Sequence, residues 1–347
     1  MANQNSNLVL DSLKTLPDQI IDGLKQSANF KLPKNYRQIK NVVVGGMGGS
    51  NLSGRLVSSI FAHDLKIPFL INADYEVDNF VGRDTLFIAS SYSGSTEETL
   101  HAYEQAKKAK AKIVVLTKAE ANNQLANRAQ KDGYPLLAFS AEANPSGQPR
   151  LGLGYAFICL LAILKEAGVL KLNNKSILQA TKKMQSANHK LIPEKSNNLA
   201  HKLSDQTFDK NIIIITGPFL AGNAHVLRNQ FNENSKNLAS YLTLPELNHY
   251  ALEGLVHPAS NKNDVVCLFF ESALYSPRVI KRLELTKKVV AKNKIKVCGA
   301  KLLGKNKLEQ ALEMLQLGAW LTYYLGTANH VDPIAIPWVD WFKKELK

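Results

Sequence analysis

Thr85-Leu86-Phe87-Ile88-Ala89-Ser90-Ser91-Tyr92-Ser93-Gly94-Ser95-Thr96-Glu97-Glu98-Thr99 changes from apolar to hydroxyl-bearing at one point. Its first five residues have the branched and aromatic make-up of a buried strand. Of the next seven, six carry hydroxyls. An Ala/Lys-rich segment, 100–109, follows with helical spacing. Strand, polar turn and helix in that order make half of a parallel βα unit. The same order recurs on both sides. Residues 41–44 read as a strand running into glycines, 51–62 as a helix, 68–71 as a second strand, 112–117 as a fourth and 136–139 as a fifth. Alternation of this kind predicts an α/β fold with a parallel sheet between two helical layers.

The alternation stops and then restarts. Residues 151–165 are strongly apolar and predict a buried helix, whereas 171–206 are rich in Lys, Asn and Gln and read as a helical connector. A strand over 211–216 then ends at Gly217-Pro218, a helix follows over 223–235, further strands over 264–270 and 294–298, and a helix over 308–325. The expected organisation is a first α/β domain (1–170), the connector (171–206) and a second α/β domain (207–347). Each domain opens with a strand, a glycine and a helix. The length of 347 residues fits two domains.

The formal charge is +14, made from 35 lysines and only 8 arginines. Readers of phosphates and bases favour the arginine fork, and the lysines here are dispersed from Lys14 to Lys347. The reading is a solvated basic surface, not a nucleic-acid-binding protein. The apolar runs fall short of the roughly 20 residues of a membrane span, and the N-terminus lacks the pattern of a secretion signal. Cys159, Cys267 and Cys298 lie far apart in apolar segments, which argues for buried thiols in a cytoplasmic protein and against a zinc site or disulfide framework.

Two turns carry the chemistry. Gly45-Gly46-Met47-Gly48-Gly49-Ser50 follows the first strand, where glycines let a backbone approach a ligand and the next helix offers unpaired N–H groups to an anion. It departs from a dinucleotide fingerprint, because Asn51 stands where the third glycine belongs, although Asp74 follows the second strand. It also lacks the Gly-Lys-Ser/Thr of a P-loop. The hydroxyl-rich turn after Ala89 is a second anion cradle, for a phosphomonoester. The structural alternative is helix capping by Thr96 and Thr99.

Ser-Tyr-Ser-Gly-Ser-Thr-Glu-Glu-Thr resembles the phosphosugar-binding signature of sugar isomerase (SIS) domains. Taken with Gly-Met-Gly-Gly-Ser, Gly147-Gln148-Pro149-Arg150, Asn232-Glu233-Asn234-Ser235-Lys236, Leu244-Pro245-Glu246-Leu247-Asn248-His249 and Asp332-Pro333 through Lys343, the chain is similar to the bifunctional phosphoglucose/phosphomannose isomerase family. The match runs in order from about Asp11 to Lys347. It implies two SIS-type domains, a hexose 6-phosphate substrate and aldose–ketose isomerisation without metal or cofactor. It implies Glu233 as the base that moves a proton between C2 and C1, and His249 as the ring-opening acid/base, reaching the neighbouring subunit of a homodimer. Arg150 is then the cation for the enediolate, and Lys343 the aid to ring opening. The phosphate anchors are Ser50, Ser91, Ser93 and Thr96 with the backbone N–H groups of Gly48 and Gly49. The C-terminal stretch 338–342 is apolar enough to fold back over the cleft and carry Lys343 in.

Two positions depart from the family pattern. Ile334-Ala335-Ile336 lacks the threonine common near the Asp-Pro, and Tyr250 replaces a common asparagine; both bear on mannose 6-phosphate more than on glucose 6-phosphate. Three other classes compete with this reading. A sugar-responsive regulator needs a DNA-binding segment that the residues before Asn41 are too few to supply. A glutamine amidotransferase needs a cysteine where Ala2 stands. A nucleotide oxidoreductase needs the missing third glycine.

Overall fold

The computed structural model describes residues 2–195 and 197–346. Five strands form the first sheet: β1 (Asn41–Gly45), β2 (Phe69–Asn72), β3 (Thr85–Ser91), β4 (Lys112–Lys118) and β5 (Leu136–Phe139). Their order is β2-β1-β3-β4-β5 and every neighbouring pair is parallel. Four strands form the second sheet: β6 (Asn211–Thr216), β7 (Ala239–Thr243), β8 (Val265–Ser272) and β9 (Lys296–Leu302), in the order β7-β6-β8-β9 and again all parallel. The two orders superpose if β6 takes the place of β1, so the chain repeats one architecture. The α/β class expected from the turns is what the chain adopts.

Side-chain alternation decides which helices cover which face. In the first sheet Val42, Val44, Leu86, Ile88, Val114 and Leu116 point to one side and join a core with the helices Leu16–Gln26, Leu52–Ile60 and Leu153–Glu166. Val43, Phe87, Ala89, Ile113 and Val115 point to the other and pack on Tyr103, Ala106 and Leu125 of the helices Glu97–Lys108 and Gln124–Asp132. The first of these cores does not end with the first sheet. It continues without a break through Ile212, Ile214, Leu227 and Phe231 to Trp320 and Leu325.

The two halves meet along the helices Leu52–Ile60 and Ala221–Asn234. The N–H of Gly222 donates to Ser59 Oγ at 3.1 Å, and a side chain at Gly222 would collide with the Arg55 carbonyl oxygen. The pair is antiparallel, so the carboxyl edge of each sheet lies beside the far end of the other half's helix. The stretch 171–206 holds two packed helices, Asn174–Asn188 and Leu199–Thr207. Its buried Asn188 donates to the Leu13 and Lys14 carbonyls and accepts from Trp320 Nε1 at 2.6 Å. The helices Ala2–Lys14 and Leu16–Gln26 and the strand β7 were not expected from the sequence. All three cysteines are buried and unbridged.

Candidate active site

Parallel pairing of β1 with β3, Gly45 opposite Ala89, brings the two chemistry-bearing turns to one sheet edge. They are bonded to each other: the Tyr92 N–H donates to Ser50 Oγ at 2.9 Å, and Ser90 Oγ donates to the Ser50 carbonyl at 2.9 Å. Within the second turn the Ser91 and Thr96 hydroxyls are 2.9 Å apart and the Gly94 N–H donates to Ser91 Oγ at 3.1 Å. Ser93 Oγ, exposed, accepts from the Ser95 N–H. Thr96 occupies the N-cap of the helix Glu97–Lys108 but makes no capping bond, and the Thr99 hydroxyl is buried without a partner. Capping therefore does not account for this turn. Gly48 has a φ of +47°, and an added Cβ at Gly49 would stand 2.8 Å from that of Pro149. Ser50, Ser91, Ser93, Thr96, Gly48 and Gly49 are thus brought together at the carboxyl edge of the first sheet.

Asn123 is the strut under this cradle. Buried, it donates to Thr117 Oγ1 at 2.6 Å and to the Lys118 carbonyl at 2.9 Å, while Thr117 Oγ1 donates to the Ser91 carbonyl at 2.6 Å. Gly94 has a φ of +68°, and a Cβ there would collide with the Asn123 amide. Gly94→Ala is expected to raise the KM for a phosphorylated substrate about tenfold or more, through backbone strain and a displaced cradle; steady-state kinetics with an unchanged fold by circular dichroism checks it.

Across from the cradle stands Arg150, 2% exposed. Its Nε donates to Asn234 Oδ1 at 2.7 Å, Nη1 to Gln148 Oε1 at 2.9 Å and to Glu233 Oε2 at 3.0 Å, and Nη2 to the Pro333 and Ile334 carbonyls at 2.7 and 3.2 Å. A guanidinium has five N–H donors, and five acceptors use them. Burial pulls the Arg150 pKa down and the Glu233 carboxylate opposes that. One side chain therefore joins the turn after β5, the end of the helix Ala221–Asn234 and the C-terminal stretch. It also holds one oxygen of Glu233 in place, with that carboxylate still 29% exposed.

A second cation stands at this carboxylate's helix end. Lys236 Nζ donates to the Glu233 carbonyl at 2.7 Å and to the Asp332 carbonyl at 2.5 Å. Desolvation of its ammonium, with the charge of Arg150, pushes its pKa down to about 8. Burial works to raise the Asp332 carboxyl, but hydrogen bonds from Asn5 and from the Ile334 and Ala335 N–H groups prevail and hold it low. Lys236 belongs to the motif Asn232-Glu233-Asn234-Ser235-Lys236, but nothing in the local sequence marks it for a role, because its adjacency to Arg150 is tertiary. Between pH 8 and 10.5 the unfolded chain keeps a proton that the folded Lys236 has lost, so stability rises with pH across that window. Much of the side chain is exposed, so the effect is screened. Denaturant titrations at pH 7.5 and 10 should show a smaller rise for Lys236→Met than for the parent chain.

Two expected site residues are not brought to this place within one chain. The helix Ala221–Asn234 leaves the carboxyl edge of the second sheet and ends, with Glu233, at the opposite edge. β7 then returns over five residues, an advance of roughly 16 Å, before the turn Glu246–His249. His249 is exposed on that far edge. Lys343 lies on the helix Pro337–Glu345, which buries no residue. Trp338, Trp341 and Phe342 of this helix are 81%, 56% and 57% exposed. The expected packing of this tail over the cleft is thus absent in the single chain. Pro333 and Ile334 are tied to Arg150, and beyond them the apolar face is left largely uncovered by the described residues.

Among the described residues no group of three His, Cys, Asp or Glu side chains is placed to hold a metal ion, and no helix is long and apolar enough to cross a membrane. The SIS domain model matches residues 35–134, which contain the cradle. The model for the bacterial phospho-glucose isomerase C-terminal SIS domain matches residues 194–346, which contain Glu233 and Lys236. A bifunctional phosphoglucose/phosphomannose isomerase of Caldicellulosiruptor bescii is 31% identical over 97% of this chain and 98% of its own. The chain belongs to the bifunctional phosphoglucose/phosphomannose isomerase family. It is an isomerase. Another member, from Aquifex aeolicus, is 28% identical over 95% of this chain and 98% of its own. A hypothetical protein of Thermus thermophilus shares the fold, with a TM-score of 0.75 over 99% of this chain and 93% of its own at 16% identity.

Proposed function

We propose that the protein interconverts glucose 6-phosphate, and mannose 6-phosphate, with fructose 6-phosphate through a cis-enediol, without a metal ion. The observation that carries this reading is the Glu233 carboxylate held by Arg150, whose backbone packs against Gly49 of the hydroxyl-lined cradle. The phosphate binds Ser50, Ser91, Ser93 and Thr96 and the N–H groups of Gly48 and Gly49, which orients the sugar with its C1–C2 end toward Glu233. One free oxygen of Glu233 takes the C2 proton and returns it to C1. The negative charge that develops on O1 and O2 is offset by Arg150, where a substrate oxygen exchanges with the Ile334 carbonyl, its longest bond at 3.2 Å, and by Lys236. Loss of the C2 proton makes that carbon planar, so both epimers yield one intermediate.

Ring opening falls to His249 of the partner subunit in a homodimer, and to Lys343 when the tail helix closes. The exposed tryptophans of that helix and the exposed His249 loop support an assembly of two chains. The protein is read as cytoplasmic, with domains bounded at 170 and 206. Coupled assays of glucose 6-phosphate and mannose 6-phosphate in EDTA test the function. Turnover of glucose 6-phosphate is expected, with mannose 6-phosphate slower because Ile334 offers no hydroxyl. Binding without turnover of either sugar, or loss of activity in EDTA, overturns the reading.

A further inference from the structure

The second sheet repeats the first in strand order, so it has a switch point of its own between β6 and β8, where ligands of open α/β sheets bind. A cleft of about 460 Å³ opens there. Its floor is the turn Pro218–Leu220 and the start of the helix Ala221–Asn234, one wall is Tyr275 and Ser276 beyond β8, and the other is the end of the helix Leu52–Ile60 from the first half. This is the arrangement of the candidate active site with the halves exchanged: there the helix of the second half, ending at Glu233, closes the edge of the first sheet.

The lining chemistry differs from that of the first cradle. Tyr275 fills the turn, its hydroxyl accepting from the Gly217 N–H at 2.9 Å, and Pro277 removes a donor from the next helix. In their place the cleft presents Arg55, Lys307, His63 and His225, and among the described residues no carboxylate lines it. Arg55 Nε is buried with no hydrogen-bond partner, and among the described residues the arginines in ion pairs are Arg128 and Arg150. A buried guanidinium N–H without an acceptor is costly. His225 is shared between the Tyr241 hydroxyl at 3.2 Å and Arg228 at 3.0 Å, and burial, followed by the charges of Arg228 and Arg55, pushes its pKa down to about 4. The surplus positive charge therefore rests on Arg55 and Lys307.

We infer that this cleft is a second anion site, binding a phosphate group, free or carried by a sugar, between Arg55 and Lys307. It uses none of the residues assigned to isomerisation. Equilibrium dialysis with inorganic phosphate should find two sites per wild-type chain. Arg55→Gln and Lys307→Gln should each weaken one of them tenfold or more, as expected for loss of a charge-assisted donor, and leave basal turnover unchanged. Ser91→Ala combined with Ser93→Ala should affect the other site only. Competition at the Arg55 site by fructose 6-phosphate, with none by fructose, identifies a sugar-borne phosphate; no competition by either identifies free phosphate. A single site per wild-type chain that Arg55→Gln and Lys307→Gln leave intact overturns the inference. So do two sites indifferent to both substitutions, and Lys307→Gln serves where Arg55→Gln fails to fold.

Discussion

Glu233→Gln is expected to lower kcat for glucose 6-phosphate by about three orders of magnitude or more, with KM nearly unchanged. The amide keeps the shape of the carboxylate, and its oxygen still accepts from Arg150 Nη1, as Glu233 Oε2 does at 3.0 Å. Phosphate binding is remote from the change. What is lost is the only oxygen free to take a proton, and an amide is no base at any pH of interest. The matching measurement is deuterium exchange at C2 of the sugar in heavy water, which should cease along with turnover. An enzyme that retains wild-type exchange after Glu233→Gln has its base elsewhere, and the assigned mechanism then falls.

The second large effect is a recovery. Glu233→Gln and His249→Ala chains, each inactive alone, should regain activity when mixed and allowed to exchange subunits. Half of the dimers are then mixed, and each mixed dimer contains one site with both Glu233 and the partner's His249, so about a quarter of wild-type activity returns. Geometry within one chain motivates this, since Glu233 and His249 stand at opposite edges of the second sheet. A mixture that stays inactive after exchange shows that each chain completes its own site, and it removes His249 of the partner subunit from the mechanism.

Much of the architecture was legible because strand-to-helix turns are written in glycine and hydroxyl residues. Asn211–Thr216 holds a run of four isoleucines and is closed by Gly217-Pro218, so its bounds are plain in the sequence. β7 was not, because Ala-Ser-Tyr-Leu-Thr is short, half polar and partly buried, and its partner β6 makes it a strand. The helix Ala2–Lys14 was missed for a related reason: its sequence is Asn- and Ser-rich, and packing of Val9 and Leu13 on the core stabilises it. At the site, the phosphate turns were visible as local sequence. The five-way bonding of Arg150 was not, since its acceptors come from residues 148, 233, 234, 333 and 334. The place of the tail was not legible, because apolar composition says that a face seeks cover but not which surface supplies it.

The unbroken core that runs from Val42 to Leu325 bears on how such a chain can be inherited. Two halves with one strand order look like interchangeable modules, yet each uses the other as its inner wall. A break after residue 206 would yield two fragments with bare apolar helices, not two small proteins. Recombination that swaps one half must therefore preserve the seam at Gly222 and Ser59, so the halves are bound to change together even where their loops are free to diverge.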